Sequence, residues 1–303
     1  MALTPDSLLD RMKLKKSIFF WRTFAIVAVV LILIILGVEN NNDGLSVPTD
    51  HIARIAVEGV IFENKDHDKV LKNIKEDSHA KALIVYINSP GGTIVGGENL
   101  YDNLREIAKI KPVVAVMGSL AASGGYMAAI AADRIYAKAG TLTGSVGVLM
   151  QSFDVTELGK KIGVEFTTYK SGKLKATPSP LEKTSPEAVR VLNESIADSF
   201  DLFLGMVVER RSLSQKEIDI IKDGRVLTGR QALALKLVDE LGGEEDAVKW
   251  LQNEKKIDKT LKVIDVELDT EKKFLEKLMS KVSDEVIPLA RLRSGGMLVM
   301  WNN

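Results

Sequence analysis

From about residue 52 onward the chain alternates short β-branched runs with helical blocks, and few architectures can absorb that order. "RIAVEGVI" (54–61), "ALIVYIN" (82–88), "VVAVMG" (113–118) and "RIYAKA" (134–139) read as strands. Between them, "GENLYDNLREIAKI" (97–110) repeats Leu100, Leu104, Ile107 and Ile110 at helical spacing, and "HDKVLKNIKEDS" (67–78) does so more weakly. Strands joined through helices cross over right-handedly, which implies an α/β fold with a mainly parallel sheet and helices on its faces. Further on, "TSPEAVRVLNESIADSFDLFLGMVVERR" (184–211) predicts a long helix opened by a Ser185 cap and Pro186. Two more helices are expected over "SQKEIDIIKD" (214–223) and "GRQALALKLVDELGG" (229–243), the latter stopped by Gly242 and Gly243. "VEFTTY" (164–169) reads as a strand, and no internal repeat is visible.

Ahead of this body lies "SIFFWRTFAIVAVVLILIILGV" (17–38), an apolar run interrupted only by Arg22. At about 1.5 Å per residue such a run can cross a hydrocarbon core of roughly 30 Å. Arg11, Lys13, Lys15 and Lys16 precede it, and no positive charge sits in the "ENNND" that follows. The positive-inside rule then puts residues 1–16 in the cytoplasm and the chain beyond residue 39 across the membrane. A cleaved signal peptide is the alternative, disfavoured by the length of the run and the lack of a small-residue cleavage pattern after it. The expected organisation is a cytoplasmic N-terminus over 1–16, a transmembrane anchor over 17–38, a linker over 39–51, a folded α/β body over 52–250 and a charged extension over 251–303 ending in "GGMLVMWNN". Across all 303 residues Lys+Arg and Asp+Glu both number 41, so no basic field points to nucleic acid. The chain has no cysteine, which excludes thiol nucleophiles, disulfides and thiolate metal sites.

Two glycine-rich segments, "YINSPGG" (86–92) and "SLAASGGYMAA" (119–129), follow predicted strands. In an open parallel sheet, ligands bind beyond the carboxyl ends of the strands, where both loops would lie. Ser123 would start a helix, and backbone N–H groups there could stabilise an oxyanion. The same residues also suit plain packing turns. A serine nucleophile needs a base. His51, His67 and His79 all precede the first glycine loop and read as solvated residues without metal-site spacing. No metal and no cofactor are expected. "YKSGKLKATPSP" (169–180) offers Lys170, Lys173 and Lys175, any of which could act as a base if burial lowered its pKa. Residue chemistry does not choose among them, and a solvated basic loop is the plain alternative.

In order, "INSPGG", "GSLAASGGYMAA", "TLTGSVGV" (141–148), "YKSGKLKATPSP" and "GRVLTGRQALALKLVDELGG" (224–243) resemble the signal peptide peptidase A family of bacterial membrane-bound serine proteases, over residues 52 to 250. That resemblance implies a Ser/Lys dyad with Ser123 as nucleophile and Lys175 as base, oxyanion N–H groups from Gly92 and Gly124, and Ser145 orienting the lysine amine. It also implies a fold similar to the Clp protease and crotonase superfamily, remnant signal peptides as substrates, a homo-oligomeric ring, and the bacterial cytoplasmic membrane with the catalytic domain outside. An extended substrate would pair as a strand beside residues 92–96. Two departures touch packing and pocket shape, not the dyad: Lys236 where the family often has Gly, and Leu174 in the lysine motif. Two other readings stay open, a crotonase-type acyl-CoA enzyme using the same glycine loops and a non-catalytic membrane scaffold.

Overall fold

The computed structural model describes residues 20–24 and 49–266. The chain divides into two compact units, Met1–Thr49 and Asp50–Asn303. In the first, residues 20–24 are helical, with the Trp21 ring edge-on to Phe20 and Phe24. Most of the expected membrane anchor over 17–38 lies outside the described residues. Among the described residues no helix is long and apolar enough to cross a membrane.

Among the described residues, the second unit is built on an eight-stranded sheet. Its elements in chain order are β1 (His51–Ile61), α1 (Lys65–Glu76), β2 (Ala80–Gly92), α2 (Ile94–Ala108), β3 (Val113–Ala122), α3 (Gly124–Ile130), β4 (Arg134–Ala137), β5 (Leu142–Gly144), α4 (Thr156–Lys161), α5 (Pro186–Arg210), α6 (Gln215–Ile221), β6 (Val226–Thr228), α7 (Gly229–Ala234), β7 (Glu240–Leu241), α8 (Glu244–Glu254) and β8 (Lys262–Asp265). Strands run in the order β6-β5-β3-β2-β1-β8, with β4 and β7 branching from β3. All pairs are parallel except β5 with β6.

Helices cover both faces, which is why the central strands read as continuous apolar runs. Leu83, Val85, Ile87, Val113 and Ala115 face α1, α2, α3 and α5 through Leu71, Leu104, Tyr126 and Phe203. Ile52, Ala82, Ile84 and Val114 face α8 through Ala247 and Leu251. This is the expected α/β class with a mainly parallel sheet and flanking helices.

β3 forks the sheet and so shapes its carboxyl end. Its first half pairs with β4 (Val114 to Met117) and its last three residues pair with β5 (Leu120 to Ala122). Against β2 the register slips between Ile87↔Met117 and Ser89↔Ala121, so Gly118, Ser119 and Leu120 oppose Asn88 alone. Such a bulge bends and re-aims a strand. Asn88 fills the gap in the ladder by accepting the Leu120 N–H through Oδ1 at 3.3 Å.

Three segments differ from the sequence reading. "VEFTTY" is an exposed loop, not a strand, because no neighbouring strand supplies ladder partners. The helix expected over 229–243 ends at Ala234. Lys236 takes a left-handed φ of 60°, and the chain then turns in to bury Leu237 and Val238 before β7. The third is β8, which lies in the stretch read only as a charged extension and pairs with His51–Arg54 along the outer edge of β1.

Candidate active site

Ser123 occupies a sharp strand-to-helix turn between β3 and α3, with φ 53° and ψ −122°. Few non-glycine residues tolerate that backbone, which costs about 1–3 kcal/mol and persists only where surroundings impose it. Here the Ser123 N–H donates to the Gly144 carbonyl of β5, and the Ser123 carbonyl accepts the Met127 N–H, both at 2.9 Å. The side chain is half-buried and, among the described residues, its hydroxyl makes no hydrogen bond, which leaves Oγ available to a substrate.

The end of β2 runs against this turn. Gly91 has φ +106°, and a Cβ there would lie 2.8 Å from both Gly124 N and Ser123 Cβ. A side chain at Gly92 would overlap the Ile61 carbonyl. Both positions therefore require glycine. Thr93 N–H donates to Ile61 O at 2.9 Å. Successive N–H groups of an extended chain point to opposite sides, so Gly92 N–H faces the other way, where a Cβ on Gly124 would stand 3.3 Å from Gly92 N. Gly124 opens α3, and its N–H has no intrahelical partner. The structure thus brings Ser123, Gly92 and Gly124 together at the carboxyl end of the parallel strands.

Ser145 is close in a second way. It follows Gly144, which pairs with Ala122 and accepts the Ser123 N–H. Ser145 also has a left-handed φ of 50°, fixed by its N–H donating to Arg225 O at 2.9 Å, and its half-buried hydroxyl makes no hydrogen bond.

The lysines separate into two groups. Lys170, its side chain 14% exposed, is engaged in an ion pair with Glu182. Lys173 and Lys175 are exposed in the loop that follows, where Lys175 N–H donates to Gly172 O at 3.1 Å. No hydrogen bond joins Lys175 Nζ to Ser123 Oγ within the chain. The histidines stay outside the site. His51 and His79 sit at the amino ends of β1 and β2, with His79 bonded to Asp50 at 3.0 Å. His67 lies in the first turn of α1, and no hydrogen bond links it to Ser123.

Sequence reasoning expected an extended edge over 92–96. The extended backbone stops at Thr93, whose Oγ1 accepts the Gly96 N–H at 3.1 Å and so caps α2 from residue 94. It also passed over two buried hydroxyls in "TLTG". Thr141 Oγ1 donates to Gly118 O and Thr143 Oγ1 to Ala121 O, each at 2.7 Å, which clamps the bulged part of β3 leading to Ser123. Two threonines alternating with apolar residues on a short strand were the available signal.

The sequence matches peptidase family S49 over residues 105–258 and the Clp protease family over residues 55–143. Similar proteins include the putative protease slr0021 of Synechocystis sp., 40% identical over 201 residues, which span 66% of this chain and 72% of that protein. The putative signal peptide peptidase SppA of Enterococcus faecium is 34% identical over 68% of this chain and 64% of its own length. The chloroplastic serine protease SPPA of Arabidopsis thaliana is 33% identical over 74% of this chain but only 33% of its own length. Among solved structures, a mutant of ClpP1 from Listeria monocytogenes aligns with a TM-score of 0.43 at 17% identity, covering 64% of this chain and 92% of that one. The S49 match takes in both Ser123 and Lys175. The chain belongs to peptidase family S49, and its enzyme class is that of a serine protease.

Proposed function

We propose that the protein is a membrane-anchored serine endopeptidase that degrades remnant signal peptides with a Ser123/Lys175 dyad. The observation that carries this reading is the convergence of the Gly92 and Gly124 backbones on a strained Ser123 whose hydroxyl bonds to no group among the described residues. Ser123 Oγ attacks the peptide carbonyl while a neutral Lys175 takes its proton. The Gly92 and Gly124 N–H groups stabilise the oxyanion, a contribution of about 10²–10³ in rate per donor. Lys175 then protonates the leaving amine, and water releases the acyl group by the reverse steps. For this to happen the loop over 171–177 must bring Nζ within about 2.6–3.2 Å of Oγ and away from water, since desolvation is what makes a lysine basic near neutral pH. Ser145, directly after the strand that anchors Ser123, would orient the amine.

Remnant signal peptides as substrates rest on the name of the Enterococcus relative and on the anchor read at 17–38, which would hold the site at a membrane outside the cytoplasm. Assembly into a homo-oligomeric ring would cover the exposed apolar side chains Leu149, Phe153, Ile162 and Tyr169, which lie between β5 and Lys170.

The test is hydrolysis of a signal-peptide-like fluorogenic substrate by the full chain in detergent, from about pH 6 to 10. Turnover in Ser123→Ala and Lys175→Ala should drop by about 10³-fold or more, while Lys173→Ala and Lys170→Ala remain active. The wild-type profile should rise with deprotonation of an amine. Activity retained in Lys175→Ala but lost in Lys173→Ala would move the base to Lys173. Activity retained in Ser123→Ala would end the serine mechanism.

A further inference from the structure

We infer that Ser89 is a positioning residue for the oxyanion-binding glycines, an inference that rests on the catalytic reading of Ser123, Gly92 and Gly124. Ser89 is fully buried, and its hydroxyl is used at both ends. Oγ donates to the Gly59 carbonyl at 2.6 Å and accepts the Gly91 N–H at 3.0 Å. Its second contact to the same turn, toward Gly91 O, is long at 3.5 Å.

Each partner lies where the β1–β2 ladder is irregular. The β1–β2 register slips between Glu58 and Val60, and Gly59, with φ +69°, is the residue at the slip. Pro90 has no N–H to give to a ladder. The following Gly91 still pairs with Val60 but has φ +106°, a backbone outside ordinary strand geometry. One hydroxyl therefore ties the bulge of β1 to the residue just before Gly92.

The other donor hangs on the same residue. A Cβ on Gly125, in the first turn of α3, would stand 3.0 Å from Ser89 O and 3.4 Å from Ser89 Cβ, so α3 packs directly on Ser89. Ser89 thus sits between the loop presenting Gly92 N–H and the turn presenting Gly124 N–H, and it sets their spacing. A group of this kind touches neither substrate nor the reacting atoms. Its removal lets the two donors drift from the oxyanion position without altering the base or the ground-state contacts of the peptide.

The experiment compares Ser89→Ala and Ser89→Cys with wild type in the full chain, using a peptide substrate and a peptide boronate that forms a tetrahedral adduct with the active-site serine. Ser89→Ala is expected to lose about 10- to 100-fold in kcat with KM changed less than about twofold. Boronate affinity should weaken by the same factor as kcat/KM, the pH profile should keep its midpoint, and Ser89→Cys, nearly isosteric with a weaker hydrogen-bonding group, should fall between. A merely structural role would lower the fraction of titratable active sites but leave kcat per site and boronate affinity at wild-type values, and that result overturns the inference. If Ser89→Ala does not fold, Ser89→Cys decides by the same readouts. Turnover and boronate capture that survive Ser123→Ala, or a wild type with neither, would overturn the catalytic reading itself. Loss in Ser123→Ala alongside wild-type rates in both Ser89 variants would overturn the positioning role alone.

Discussion

A methyl group at position 91 has no room. It would meet Gly124 N and Ser123 Cβ at 2.8 Å, on a backbone whose φ of +106° already disfavours any L side chain. Gly91→Ala must therefore push β2 away from the Ser123 turn, and displacement of this kind by about 1 Å costs on the order of 10² in rate. We expect kcat/KM to fall by about 10²-fold or more in Gly91→Ala, with a lower melting temperature. Gly140→Ala, where nothing lies within 4 Å of the new Cβ, should match wild type in both. An equal loss in the two variants would show that the close approach at 91 is not what matters. At this scale much was readable beforehand: two glycines after "SP" and a serine before "GG" announce close backbone contact. The partner of each hydroxyl was not readable, because Ser89, Thr141 and Thr143 bond to carbonyls contributed by other strands. Nor could the lysine motif separate Lys170 from its neighbours, since the ion pair with Glu182 that occupies it is made by the fold of the loop.

Helix ends show a similar division. Caps that use adjacent residues are visible in the string: Ser185 accepts the Ala188 N–H ahead of Pro186, and Ser214 and Glu217 form a reciprocal capping box. Caps supplied from afar are not. Every residue of α3 is buried, and its terminal carbonyls are satisfied by Arg210, which donates to Ile130 O and Ala132 O, and by Arg105, which donates to Ala131 O. Buried Lys111 does the same for α1, donating to Ile74 O at 2.6 Å and Asp77 O at 2.8 Å, and burial lowers its pKa. Two helices end on a lysine in the left-handed conformation usually given to glycine, Lys236 after α7 and Lys256 after α8. Lys236 also reaches Glu217, whereas the Lys256 ammonium only donates to Asn253 O. Lys256→Gly should consequently stabilise the protein by about 1 kcal/mol, which for a body of this size raises the melting temperature by about 2–4 °C. A lower melting temperature in thermal unfolding would refute that.

For the whole molecule, the run at 17–38 predicts that the full chain stays with membranes through alkaline carbonate washing, while a chain truncated before residue 39 is released. Release of the full chain would remove the anchor from the proposed function. The α/β class follows from local information alone, because apolar runs of strand length separated by helical periodicity leave few ways to bury both faces of a sheet. The demand for small residues around Ser123 is likewise written into adjacent positions, whereas its reading as a nucleophile came only with the resemblance of five ordered motifs to a known family. Tertiary structure decided what depends on distant partners. β8 is a strand because it pairs along the outer edge of β1 at His51–Arg54, whereas "VEFTTY" pairs with no strand among the described residues. Helix α7 stopped at Ala234 because Leu237 and Val238 have to enter the core. The fork of β3, held open by Asn88, Thr141 and Thr143, aims Ser123 at the end of β2, and no sequence window contains residues that meet across the sheet.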